Sequence, residues 1–298
     1  MPLVSYRAIG QEIGDWKEYY ENGQLIKKGV YVNGKEHRNW EEYYENGQLR
    51  QKGAFNQGVE TGIWFYYHEN GQVMSNGNYI SGKKDSTWIY YHDNTQISSQ
   101  VNYKNDKPEG VWLKYYKGGQ LKANTTYIEG KITGESFEYY ENTKVKMKGI
   151  YTDSSSTEQW FYDNGQFWQR KNHKKENPEG EWTRYDKYGL LVEQKKYVNG
   201  LPDGEWLEYN DNEQLKSKGI YRYGTKEGEW IERTENGRLK GNYINGKMEG
   251  RWEGYYTNGS LKHVEYYSNG KPDGEWISYD DAGKVKKKKK FKNGEEME

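Results

Sequence analysis

The chain has 298 residues, with 45 basic and 45 acidic side chains, no cysteine, 36 glycines and five prolines. Zero net charge supplies no field to draw in nucleic acid or an anionic membrane, and the lack of cysteine excludes disulfide frameworks, thiolate metal centres and cysteine nucleophiles. A hydrophobic fraction of only 32% leans towards disorder, but 12 Trp, 31 Tyr and six Phe reverse that, because the apolar material is aromatic and suits a thin structure better than a thick core.

The opening "MPLVSYRAIG" lacks the charged-then-apolar plan of a secretion signal, and no apolar run approaches the roughly 18 residues of a membrane span. The expected location is the cytoplasm as the sequence stands, or the periplasm or cell surface if a signal has been removed. Residues 1–15 read as an N-terminal half-repeat, a cap.

From there the chain repeats itself. With Asn22 of the first Asn-Gly as origin, equivalent positions fall at Asn46, Asn70, Asn94, Gly118, Asn142, Asn164, Tyr188, Asn212, Asn236, Asn258 and Ala282. The intervals are 24 residues except for two of 22, giving twelve copies over residues 16–294 and a short tail at 295–298. Both exceptions are short by an even number. Strand side chains alternate faces with period two, so an odd slip would turn every later side chain over.

Six residues before the origin stands Trp in ten copies: Trp16, Trp40, Trp64, Trp88, Trp112, Trp182, Trp206, Trp230, Trp252 and Trp276. Three after it lies an apolar residue, from Leu25 to Val285, and nine after it an aromatic in most copies, such as Tyr31 and Phe55. Copies over about residues 133–175 are degenerate, with Ser136 and Glu158 in the Trp positions. Asn-Gly between β-prone runs predicts a two-residue type I′ hairpin turn. The second connection, as in "NGLPDGEW", reads as longer, with Pro108, Pro178, Pro202 or Pro272 in the turn.

A two-residue turn pairs Tyr20 with Leu25, Glu18 with Lys27, Trp16 with Gly29 and Gly14 with Tyr31. Trp, Leu, Tyr and Gly would then share one core face. The alternative, a three-residue loop, places Leu25 on the face of Tyr19. The predicted fold is all-β: an elongated single-layer antiparallel meander of about twelve 24-residue β-hairpin repeats, a twisted or coiled, solenoid-like ribbon.

The recurrent "GEWxxYYxNGQLKxxGxYxNGKxxG" over about residues 10–294 resembles the bacterial variant of the MORN repeat (membrane occupation and recognition nexus), found in proteins described as YwqK-family antitoxins. The resemblance implies hairpin-built β-ribbons used as interaction surfaces, some as immunity partners of toxins, others as membrane-associated or assembly modules.

Little in the sequence reads as chemistry. His68 and His92 occupy the same place in adjacent copies, roughly 10 Å apart by strand spacing, too far to share one zinc. The acidic residues recur with the repeat, and the glycines have no strand–loop–helix context for phosphate. No catalytic residue, metal or cofactor is assigned, and the expectation is a non-enzyme. Lys286 to Lys290 reads as protection of a terminal strand edge.

One stripe is less easily absorbed by packing: Tyr19, Tyr43, Tyr67, Tyr91, Tyr115, Tyr139, Tyr185 and Tyr209, three residues before the origin. Tyrosine gives rigid amphipathic contact area, so this column is the candidate partner-binding surface. The expected function is a protein–protein interaction scaffold of the antitoxin or immunity type, with a protein partner such as a toxin, no nucleic acid and no membrane. A cell-wall or carbohydrate binder and a membrane-surface or assembly module are the alternatives.

Overall fold

The computed structural model describes residues 13–210 and 212–298; the expected cap lies outside them up to residue 12. Among the described residues every regular element is a β-strand. Contacts divide the chain into two units, Met1–Thr152 and Asp153–Glu298. In each unit, consecutive strands pair antiparallel in chain order and the sheet does not close on itself. The fold is the predicted all-β hairpin meander.

The turns are assigned the other way round from the sequence reading. Between β1 (Ile13–Tyr19) and β2 (Leu25–Val32), Tyr20 N–H donates to Gln24 O at 2.8 Å and Gly23 N–H to Tyr20 O at 3.0 Å. This is a three-residue loop, Glu21-Asn22-Gly23, with Gly23 in the left-handed region at φ 83°. Asn22 Oδ1 accepts the N–H of Gln24 at 2.9 Å, and this Asx geometry holds the loop open by one residue beyond a type I′ turn. Tyr19 therefore faces Leu25, while Glu18 still faces Lys27, which leaves Ile26 as a one-residue bulge. Loop and bulge are each odd, and together they restore the even phase. Trp16 faces Gly29 and Gly14 faces Tyr31 as expected; Leu25 does not join the Trp face.

The two-residue turn is the second connection. Between β2 and β3 (Lys35–Tyr43), Val32 faces Lys35 across Asn33 and Gly34, whose φ values of 52° and 77° define type I′. The prolines are not in these turns. Pro108 and Pro202 are the second residues of strands Lys107–Tyr115 and Leu201–Tyr209, opposite Tyr103 and Tyr197. A second bulge follows: Lys28 faces Glu41 and Val30 faces His37, so β3 uses four steps where β2 uses two. Its first extra residue is Arg38 at φ 62°, and Gly62, Gly110 and Gly250 hold the same place at 68°, 77° and 69°. This left-handed bulge explains the glycine of "GEW".

One 22-residue interval now has a physical account. In the copy centred on Asn236, Thr234 faces Gly237 and Trp230 faces Gly241 with no shift between them. The loop residue and the bulge residue have been lost together, which preserves the phase.

Neighbouring copies are joined through their loops. Tyr20, Tyr44, Tyr116 and Tyr256 donate their hydroxyls to the carbonyls of Tyr43, Tyr67, Tyr139 and Tyr279 at 2.7–3.0 Å. Asn46 Nδ2 donates to Glu69 O while its Oδ1 accepts from Gln48 N–H, both at 2.9 Å. Asn46→Ala removes both bonds and is expected to cost about 1–2 kcal/mol, read as a lower urea midpoint with an unchanged m-value.

The core is an aromatic ladder on one face of the sheet, with ring meeting ring from Trp16 to Tyr103 in the first unit and from Trp182 to Phe291 in the second. Trp16, Tyr31 and Trp40 meet edge-on at 5.4 and 5.1 Å, and Trp206, Tyr221 and Trp230 at 5.0 and 4.9 Å. Glycine sets how deep each indole sits. A Cβ on Gly29, Gly53, Gly77, Gly219 or Gly241 would fall 2.1–2.2 Å from the indole of Trp40, Trp64, Trp88, Trp230 or Trp252. Each of these tryptophans belongs to the copy after its glycine, and these five are the buried ones, at 0–4% exposure. Where the glycine is replaced by Val101, Lys171, Lys195 or Glu265, the following Trp112, Trp182, Trp206 or Trp276 is only half-buried.

Candidate interaction surface

The predicted tyrosine column is real as a column, and its rings are half-buried. Its environment is richer than a row of Lys and Glu, because each ring stands opposite the apolar residue after the loop: Tyr19 faces Leu25, Tyr43 faces Leu49, Tyr115 faces Leu121 and Tyr209 faces Leu215. Tyr67 stands opposite Val73, Tyr91 opposite Ile97, Tyr139 opposite Val145 and Tyr185 opposite Leu191. Cations cover two of these rings, with Lys28 5.6 Å from Tyr43 and Lys52 5.9 Å from Tyr67, and Arg238 lies 4.4 Å from Tyr255 at the same place in a later copy. Lys28 also bonds Glu41 at 2.8 Å, and this lysine, with the Tyr43 hydroxyl, holds the Glu41 carboxyl below its ordinary range.

The same side of the sheet exposes aliphatic residues beside the second bulge. Ile63, Val111, Ile150 and Ile220 are 45–62% exposed. They stand level with the bulge rather than with the tyrosines, and in the sequence only the glycine of "GEW" hints at that bulge. Within each unit the two stripes form a one-sided surface of rings, cations and branched apolar groups.

On the opposite side the indoles are roofed by long side chains. Lys84 lies 4.1 Å from the Trp88 ring, Lys195 4.4 Å from Trp206 and Lys226 4.4 Å from Trp230. The indole N–H groups of Trp88, Trp182, Trp230 and Trp276 donate to the carbonyl ten residues earlier at 2.8–3.1 Å. Burial pushes the Tyr103 hydroxyl up to about 12 and that of Tyr66 higher still, with a contribution from the Tyr79 hydroxyl 3.1 Å away. A phenol whose folded value is raised stabilises the fold fully below its unfolded value near 10. That contribution falls as pH rises through the folded value. Absorbance at 295 nm should therefore show a fraction of the tyrosines ionising only near pH 12, together with loss of the β-sheet circular dichroism.

Several acidic and histidine side chains have structural employment, whereas His68 Nε2 is buried without a hydrogen-bond partner. Glu109, Glu179, Asp203, Glu227, Glu249 and Asp273 each accept the backbone N–H of the first residue of the next two-residue turn at 2.6–3.4 Å. His37 Nδ1 takes the same role for Gln57 at 3.4 Å. His92 Nε2 lies 3.0 Å from Tyr115 O, where a tyrosine hydroxyl stands in other copies. Among the described residues no group of three or more His, Asp or Glu is placed to hold a metal ion, and no helix is long and apolar enough to cross a membrane. The lysine run is not in the final strand: Val285–Lys292 is followed by Glu295–Met297, which pairs with Lys290, Phe291 and Lys292. Lys288, Lys289 and Lys292 are bridged to Glu275, Glu296 and Asp273.

Hairpins joined in most copies by alternating three- and two-residue turns, five of them lending a glycine to the next indole, define a β-hairpin repeat protein. The MORN repeat variant matches it at residues 12–33, 39–57, 60–81, 108–129, 202–223, 248–269 and 272–293. Segments such as 60–81 and 108–129 run from one two-residue turn to the next, one hairpin each. The matches cover just over half of the chain, which belongs to the MORN repeat variant family. Among curated proteins no relative matches it. MORN repeats commonly serve binding and interaction.

Proposed function

We propose that the chain is a non-catalytic scaffold that binds a partner protein on the face opposite the indoles, in the manner of an immunity protein holding a toxin. The observation that carries this reading is the one-sided surface. Half-buried tyrosines run beside Ile63, Val111, Ile150 and Ile220 at 45–62% exposure, the mixture of ring, cation and branched apolar group that interfaces favour. Several of the acidic side chains, with His37 and His92, are engaged in holding turns and loops, which supports a binding role over a catalytic one.

The test is affinity capture from the source cell, followed by purified-component binding of the captured protein. Replacing Tyr91, Tyr115 and Tyr139 by Ser is expected to weaken that binding at least about tenfold, since truncating a few central aromatics removes most of an interface's affinity. The β-sheet spectrum should remain. Equal binding by the variant removes this face from the reading.

A second reading, carbohydrate binding on the indole side, is favoured by the half-buried Trp112, Trp182, Trp206 and Trp276, since sugars stack on indoles. Quenching of tryptophan fluorescence by a soluble oligosaccharide would favour it.

A further inference from the structure

Trp276 differs from the other indoles in what lies around it. Glu265 stands where the seating glycine would be, and Ser278 stands where Tyr66 and Tyr90 lie against the rings of Trp64 and Trp88. The short side chain leaves a cavity of about 80 Å³ beside the indole, lined among others by His263, Glu265, Lys287 and Lys289. The sheet register brings them together: His263 faces Ser278, Ser278 faces Lys287, and Trp276 faces Lys289.

The lining carries the ammonium groups of Lys287 and Lys289 against a single carboxylate, Glu265. Glu265 is engaged from inside, its Oε2 accepting the Tyr267 hydroxyl at 2.9 Å and its Oε1 lying 4.0 Å from His263 Nε2. Lys289 is bridged to Glu296. Among the described residues the Lys287 ammonium has no carboxylate within ion-pair distance. Lys287 is the lining cation left unbridged, next to the Trp276 ring.

We propose that this pocket binds a single carboxylate group, with Lys287 and Lys289 as its cationic partners and the Trp276 ring as the wall for its short aliphatic stem. The volume is that of about two to three water molecules, which suits a carboxylate with one or two carbons. Glu265 decides against a dianion, because a second negative charge would face a carboxylate at close range. The group can come from a free small acid or from an acidic side chain of a protein. The pocket stands independently of the scaffold reading: acetate binding reports on it alone, and failure of the capture experiment leaves it untouched.

The experiment is a titration of the full chain with sodium acetate against sodium chloride at constant ionic strength, followed by the indole N–H resonances. The Trp276 resonance is assigned by its loss in Trp276→Phe. A saturable shift of that resonance with acetate, at a Kd on the order of 10 mM, and none with chloride, is expected. Lys287→Ala should weaken binding about fivefold, the loss of one charge-assisted partner at an open site, with the other indole resonances unmoved. Glu265→Gln should tighten acetate and admit inorganic phosphate. A blocked glutamate peptide binding more tightly than acetate assigns the pocket to a protein side chain, and one binding no better assigns it to a free acid. A shift that never saturates, equal binding by Lys287→Ala, or phosphate binding more tightly than acetate to the unmodified chain overturns the assignment.

Discussion

Gly77→Val is expected to destabilise the first unit by about 3 kcal/mol, the upper part of the range for forcing extra carbons into a packed site. The Cβ alone would lie 2.1 Å from Cδ2 of Trp88, so the indole must leave its seat against the backbone. Trp88 is 1% exposed and sits within 6.4 Å of the rings of Tyr66, Tyr79, Tyr90 and Tyr103; its displacement loosens four neighbours at once. The control is Gly14→Ala, where an added Cβ meets nothing within 4 Å and the change should stay within about 0.5 kcal/mol. Urea unfolding followed by tryptophan emission measures both. Equal effects of the two substitutions would show that the glycine is not a seat for the ring.

Trp252→Ala is expected to cost about 3–5 kcal/mol, as truncation of a fully buried aromatic does. Its ring is 0% exposed, seated on Gly241 and held edge-on by Tyr243 at 4.9 Å. Trp182→Ala should cost only about 1–2 kcal/mol, because Lys171 replaces the seating glycine and lies 5.3 Å from an indole that remains half-buried. Two tryptophans in identical repeat positions thus differ through one residue eleven places earlier. In an array whose copies contact mainly their neighbours, such a local loss propagates to adjacent hairpins and lowers cooperativity as well as midpoint. Thermal unfolding of the two variants, compared within the second unit, checks the ordering.

Much of this was legible from the sequence because periodicity reports the side-chain face directly. The twelve-copy register and the placement of Trp on one face follow from even spacing; the pairing of Trp16 with Gly29 follows from counting a two-residue turn, which a three-residue loop plus a bulge reproduces. The turn types did not follow. Asn22-Gly23 and Asn33-Gly34 are the same dipeptide, yet one closes a three-residue loop and the other a type I′ turn. The difference lies in bulges that compensate for loop length, and an odd loop plus an odd bulge is indistinguishable by phase from an even turn. For the same reason Leu25 was placed with Trp16 and is found opposite Tyr19. The glycine was rightly matched to an aromatic, but pairing within a hairpin could not reveal that the ring seated on it comes from the next one. The candidate surface was half visible: the tyrosines recur and could be found, whereas Ile63, Val111, Ile150 and Ile220 are exposed by a bulge that only "GEW" hinted at.

The claim on which the account turns is that a copy with glycine at the seat position supplies a bare backbone on which the next copy's indole lies. The nuclear Overhauser contacts and chemical shift of the Gly77 α-protons test it most directly. The account predicts contacts to the ring protons of Trp88 and a large upfield ring-current shift. An α-proton shift near that of an unstructured glycine, or contacts to Trp64 in place of Trp88, would contradict it.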